Sequence, residues 1–117
     1  MPSIRQWRIK MNMEFIETPI FTKLICELMP DDEYKVIQQA LVLRPEAGKI
    51  IKGSGGLRKI RCNTRGRGKR GGLRLIYYWD KINSQIYMLL VYEKSKKDDL
   101  SSEQLKSLKN LMKELLP

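Results

Sequence analysis

The chain has 117 residues, 42% of them hydrophobic and 31% charged, which is enough for one compact domain and its core but not for two. It carries 23 Lys and Arg against 13 Asp and Glu, a formal charge of +10 that points to a polyanionic partner. It contains no histidine, which excludes Ser-His-Asp and Cys-His nucleophilic sites, histidine acid/base pairs and most zinc sites.

The opening MPSIRQWRIK precedes Met11 and Met13, after which NMEFIETP starts like a first strand. Residues 1–10 therefore read as an appended extension or a mis-assigned start, and 11–117 as the single domain. Those ten residues lack the apolar segment of a signal peptide. The longest apolar stretch, around Met88 to Val91, falls far short of the roughly 18 residues a membrane span requires. A soluble cytoplasmic protein is expected, with no membrane partner.

Residues 12–17 are predicted as a short strand. Pro19 then opens a helix through about Leu28, which Pro30 ends. Asp31 and Asp32 supply an N-cap and a negative first turn to a second helix, in which Val36, Ile37, Ala40 and Leu41 recur at helical spacing until Arg44-Pro45 stops it. The two helices form a hairpin.

From Arg44 to Arg74 there are eleven basic residues against one acidic, Glu46, so the whole charge excess belongs to this stretch. An idle soluble surface would scatter its charges with both signs mixed. Gly48, Gly53, Gly55 and Gly56 punctuate a loop. Leu57 to Cys62 (LRKIRC) reads as a strand, Asn63 to Gly72 as a Gly/Arg/Lys-rich turn, and Leu73 to Trp79 (LRLIYYW) as the return strand. After a turn at Asp80 to Ser84, Ile86 to Tyr92 (IYMLLVY) looks like a strand buried on both faces.

Ser101 and Gln104 fit a capping box, Leu100 and Leu105 its hydrophobic staple, and Leu105, Leu108, Met112 and Leu115 one apolar stripe, which together predict a terminal amphipathic helix. The element order describes an α+β domain: a small antiparallel sheet packed with an N-terminal helical hairpin and a C-terminal helix.

Cys26 and Cys62 match no metal-binding spacing and read as free thiols of a reducing cytosol, without a function. No carboxylate cluster accompanies the basic hairpin, so neither a metal site nor any other cofactor is expected. Gly66 to Gly71 matches GxGxxG, but a strand follows where a dinucleotide fold needs a helix. Arg70-Gly71-Gly72 occurs once, and so is not an RNA-binding low-complexity tract.

What remains is the set of cations. Period-2 alternation puts Leu57, Lys59 and Arg61 on one face of their strand and Arg58, Ile60 and Cys62 on the other. Arg74 begins a strand whose other residues are almost all apolar or aromatic, so its side chain is expected to lie against a packed sheet.

In that order, GGLRKIR (Gly55 to Arg61), GKRGGLRLIYY (Gly68 to Tyr78) and MLLVYEKSKKDDLS (Met88 to Ser101) resemble the RelE/HigB superfamily of toxins from type II toxin–antitoxin pairs. The likeness covers about residues 13–116 and is closest to the HigB-like branch, which carries a Gly/Lys-rich insertion between its two basic strands. The resemblance implies a RelE-like fold and a ribosome-dependent endoribonuclease that cuts mRNA and inhibits translation. It also implies a cognate antitoxin, itself a DNA-binding protein, through which operator DNA is met only indirectly.

Carried over by position, the family's catalytic residues fall on Lys59, Arg61, Arg74 and Lys94. Arg58, Arg65, Arg67, Lys69 and Arg70 are further RNA-binding candidates. The family's C-terminal tyrosine or histidine has no clear counterpart after Lys97, and Tyr92 is the candidate to replace it.

RNA can be cut without metal when the 2′-hydroxyl attacks the adjacent phosphorus. A guanidinium presents a charged planar fork to the phosphate, which suits Arg61 and Arg74 as stabilisers. Arginine carries protons poorly, so the general base or acid falls to Lys59 or Lys94. The alternative is a non-enzymatic basic RNA- or DNA-binding protein, with Tyr77, Tyr78 and Trp79 stacking on bases rather than filling the core. Their place beside an apolar neighbouring strand favours the core.

Overall fold

A computed structural model describes residues 5–9, 13–63, 72–96 and 99–116. Strand β1 (Arg5–Ile9) is followed by β2 (Met13–Glu17), helices α1 (Pro19–Leu28) and α2 (Asp31–Leu43), and the two-residue strand β3 (Lys49–Ile50). Then come β4 (Arg58–Cys62), β5 (Leu73–Asp80), β6 (Gln85–Glu93) and helix α3 (Ser102–Leu115).

The helix ends follow their caps. Thr18 accepts a hydrogen bond from the Phe21 amide at 3.1 Å, with Pro19 in the first turn of α1, where its missing N–H costs nothing. The cap of α2 differs from expectation, because Pro30 holds the N-cap position in an extended conformation. Asp31, Asp32 and Glu33 therefore lie inside the first turn, where their charge favours the helix dipole without a capping hydrogen bond. On α3 the capping box is complete: Ser101 Oγ accepts from the Gln104 amide at 3.1 Å, and the Gln104 side chain accepts from the Ser101 amide at 3.0 Å.

The α+β architecture is as expected, but the sheet is mixed rather than wholly antiparallel. Its strand order is β1-β2-β6-β5-β4-β3, and β2 runs parallel to β6, with Glu14 opposite Gln85 and Glu17 opposite Met88. A parallel pair requires a long crossover connection, and everything from α1 to β5 supplies it. The segment Arg5–Ile9 adds an antiparallel edge strand to β2. At the other edge β3, read in the sequence as loop, pairs Lys49 with Lys59 and Ile50 with Arg58.

Each face of the sheet has its own core. Phe15, Leu73, Leu75, Tyr77, Ile86, Met88 and Val91 pack beneath the α1–α2 hairpin with Phe21, Ile25, Tyr34 and Leu41. Ile16, Leu57, Ile76, Tyr87 and Leu89 pack on the opposite face with Met112, flanked by Leu105, Leu108 and Leu111 of α3. Strand β6 contributes to both, as its continuous apolar run requires. Burying such a side chain contributes about 1.5–3 kcal/mol.

The pairing of β5 with β6 slips between Ile76 and Tyr77: Ile76 faces Leu90 and Tyr77 faces Met88, which leaves Leu89 as a bulge. A buried carboxylate fastens the hairpin to the sheet. Glu17, wholly buried at the end of β2, accepts hydrogen bonds from Thr22 Oγ1 at 2.7 Å and from the Tyr34 hydroxyl at 2.6 Å. None of the helices among the described residues is long and apolar enough to cross a membrane.

Candidate functional site

Register decides which cations share a surface. Arg61 of β4 stands opposite Arg74 of β5, which in turn stands opposite Tyr92 of β6. Lys59 stands opposite Ile76, two residues along the same face. Directly paired residues project to one side of a sheet, so Lys59, Arg61, Arg74 and Tyr92 lie on the side that also carries α3. The helix packs on Ile76, Tyr87 and Leu89, and the basic row continues beyond it toward the start of β5.

Lys94 reaches the same end of the sheet through the backbone. Its amide donates to the Gly72 carbonyl at 3.0 Å, joining the residue after β6 to the residue before β5. Gly72 has φ of +58°, and a Cβ there would run into the Cys62 carbonyl and the Asn63 side chain. Glycine is thus required where the chain re-enters the sheet.

The four strand residues differ in access. Arg61 is exposed, Lys59 and Tyr92 are half-buried, with the Tyr92 hydroxyl oxygen itself out of contact with solvent, and Arg74 is only 4% exposed. A guanidinium of Arg74 donates to the Leu73 carbonyl at 3.3 Å. Burial raises the pKa of the Tyr92 hydroxyl; Asp99 raises it further and Arg74 opposes both. The phenol therefore holds its proton more firmly than a free tyrosine does. Burial likewise pushes the Cys62 thiol up to about 12 against the opposing influence of Arg74, which makes it unsuited to nucleophilic chemistry.

One sequence candidate is placed elsewhere. Arg58 lies on the opposite face, facing Tyr77, and donates to the carbonyls of Glu46 at 3.1 Å and Gly48 at 2.8 Å. It braces the loop between α2 and β3. Arg65, Arg67, Lys69 and Arg70 lie outside the described residues. Tyr77, considered for base stacking, is wholly buried; its hydroxyl donates to the Pro45 carbonyl at 2.7 Å and accepts from the Gly48 amide at 2.8 Å. Tyr78 and Trp79 pack against the two cores.

A further participant escaped the sequence reading. Lys59 Nζ lies 2.5 Å from Asp99 Oδ1, bridging β4 and the approach to α3. In DDLS before a capping box, an aspartate reads only as a helix-start charge, and nothing local to Asp99 signals a partner 40 positions away. Among the described residues no group of three or more Cys, Asp or Glu side chains is placed to hold a metal ion.

The geometry thus sets two arginines, a lysine and a phenol on one side of the sheet, with Arg61 and Lys59 open enough to meet an anionic group and Arg74 and the Tyr92 hydroxyl covered beside them. A family model described as the RelE toxin of the RelE/RelB toxin–antitoxin system matches residues 34–117, more than two thirds of the chain.

Proposed function

We propose that this chain, which belongs to the RelE toxin family of toxin–antitoxin systems, cuts messenger RNA on the ribosome without a metal ion. Toxins of this family are in general endoribonucleases that inhibit translation, and each is paired with an antitoxin. The observation that carries the finer reading is the register Arg61–Arg74–Tyr92 with Lys59 on the same face.

In the proposed reaction the 2′-hydroxyl attacks the neighbouring phosphorus, the bond to the 5′-oxygen breaks, and a cyclic phosphate and a free 5′-hydroxyl result. Arg61 and Arg74 hold the phosphoryl oxygens as their charge grows. Lys59 or Lys94 serves as general base or acid for the proton transfers to and from the reacting oxygens, and Tyr92 contributes to RNA binding beside them. Arg65, Arg67, Lys69 and Arg70 extend the contact along the RNA backbone through charge. Weak acid/base equipment fits a requirement for the ribosome, which supplies the attack geometry.

The proposed partners are the ribosome with its message and a DNA-binding antitoxin, in the cytoplasm, with operator DNA met only through the antitoxin. The HigB-like branch is proposed on the Gly/Lys-rich insertion between β4 and β5.

The test maps 5′ ends on a defined message in a translating bacterial extract, with wild-type protein, Arg74→Ala, and the same message free of ribosomes. New cuts that need ribosomes and vanish in Arg74→Ala are expected. Cutting of naked RNA at a comparable rate removes the ribosome from the mechanism. Retained RNA or DNA binding with no cutting makes the protein a non-enzymatic binder, a reading weakened by the burial of Tyr77 and the packing of Tyr78 and Trp79.

A further inference from the structure

The basic face includes a carboxylate that no step of the proposed cleavage uses. Asp99 accepts from Lys59 Nζ at 2.5 Å, although the two residues are 40 positions apart. It stands two residues before the N-cap Ser101, and the intervening Leu100 packs into the α3 core, so the capping box and that contact fix where the carboxylate sits. Its charge also acts on the Tyr92 hydroxyl, in opposition to that of Arg74. Asp99 therefore shares one electrostatic cluster with Lys59, Tyr92 and Arg74.

The two partners are unequally covered: the Lys59 side chain is 29% exposed and that of Asp99 73%. The carboxylate is thus the member of the pair more open to solvent and to exchange. A carboxylate and a phosphodiester both present anionic oxygens to an ammonium group and compete for the same N–H donors. An ion pair this exposed is weak, which suits a contact made to be exchanged.

On the nuclease reading given above, we propose that Asp99 is a positioning residue that occupies Lys59 in place of a substrate phosphate, so that RNA gains the lysine only by displacing it. The aspartate keeps the Lys59 side chain directed along the basic face and lowers affinity for loose RNA. A message held in place by another body would pay that exchange with contacts made elsewhere.

The experiment measures binding of a short single-stranded RNA, 2′-O-methylated so that it cannot be cut, by fluorescence anisotropy at low salt. Asp99→Asn is expected to bind about two- to five-fold more tightly than wild type, the scale of an exposed ion pair. Asp99→Glu should stay near wild type. Glu103→Gln, which makes the same charge change on the exposed first turn of α3, should gain less. In a Lys59→Ala background the Asp99→Asn gain should disappear. Unchanged or weaker binding by Asp99→Asn, an equal gain in Glu103→Gln, or a gain that persists without Lys59 would overturn the proposal while leaving the nuclease reading intact. Wild-type protein that neither binds this RNA nor cuts messages on ribosomes would overturn the nuclease reading itself, and this inference with it.

Discussion

Arg61 and Arg74 are directly paired across β4 and β5, yet one is exposed and the other only 4% exposed. Two like charges facing each other in a sheet disfavour folding unless something else gains from them. An anionic ligand bridging both is such a gain, and the difference in access separates their expected phenotypes.

Arg74→Ala should lower the rate of ribosome-dependent cutting about 100- to 1,000-fold, as expected for loss of a charge-stabilising donor. Arg74→Lys keeps the charge but loses the planar fork and should recover only part of that rate. Single-turnover cleavage on purified ribosomes measures both, and a full recovery with lysine would show that charge alone suffices.

Arg61→Ala should reduce cutting while leaving thermal stability within about 0.5 kcal/mol of wild type, because an exposed strand residue contributes little to packing. Removing one of two opposed cations can even stabilise the fold slightly. Melting curves beside cleavage rates separate the two effects.

Arg58→Ala should behave in the opposite way. Its guanidinium holds the carbonyls of Glu46 and Gly48 from the far face of the sheet, and losing these charge-assisted bonds should cost about 1–3 kcal/mol. Cutting per folded molecule should be near normal, and a rate loss as large as that of Arg61→Ala would return Arg58 to the RNA-contacting set.

Tyr77→Phe tests the same loop from within. Without the hydroxyl, the Gly48 amide and the Pro45 carbonyl both lose their partner, at a cost of about 1–3 kcal/mol. Gly48→Ala should be at least as damaging, since a Cβ would stand 2.8 Å from the Tyr77 ring. Chemical denaturation gives both values.

Stability should fall as the solution becomes alkaline. Burial holds the Cys62 thiol up to about 12 and raises the hydroxyls of Tyr77, Tyr87 and Tyr92. The unfolded chain releases these protons near their ordinary values of about 8.5 and 10 while the folded chain retains them, so their contribution is complete below that range and is lost as pH rises toward 12. Each such group contributes at most about 1.4 kcal/mol per pH unit. The melting temperature should stay level up to about pH 8.5 and decline above it, less steeply in Cys62→Ala.

Local signals in the sequence were enough to outline the helices and most strands. Pro19 and Pro30 bound α1, the Ser101–Gln104 box starts α3, and the branched and aromatic runs mark β5 and β6. Alternation also separated Lys59 and Arg61 from Arg58, and so much of the candidate face was legible. Long-range relations were not. Nothing in MEFIE indicates that β2 lies parallel to β6, the two residues of β3 are too few to show a period, and Pro30 displaced Asp31 from the cap because its extended backbone already fits there. Asp99 was missed for the same reason: its partner comes from the fold and not from its neighbours.

The unpaired Leu89 in β6 acts as a phase shift. Upstream of it, Ile86 and Met88 point toward the helical hairpin; downstream that role passes to Val91. An uninterrupted alternation would carry Tyr92 to the hairpin side and set Val91 beside Arg74. Which residue stands opposite Arg74 therefore depends on the number of residues between Met88 and Tyr92 as well as on their identity: the one extra residue taken up at Leu89 is what brings the phenol, and not Val91, to the side of the sheet that carries Arg61 and Arg74.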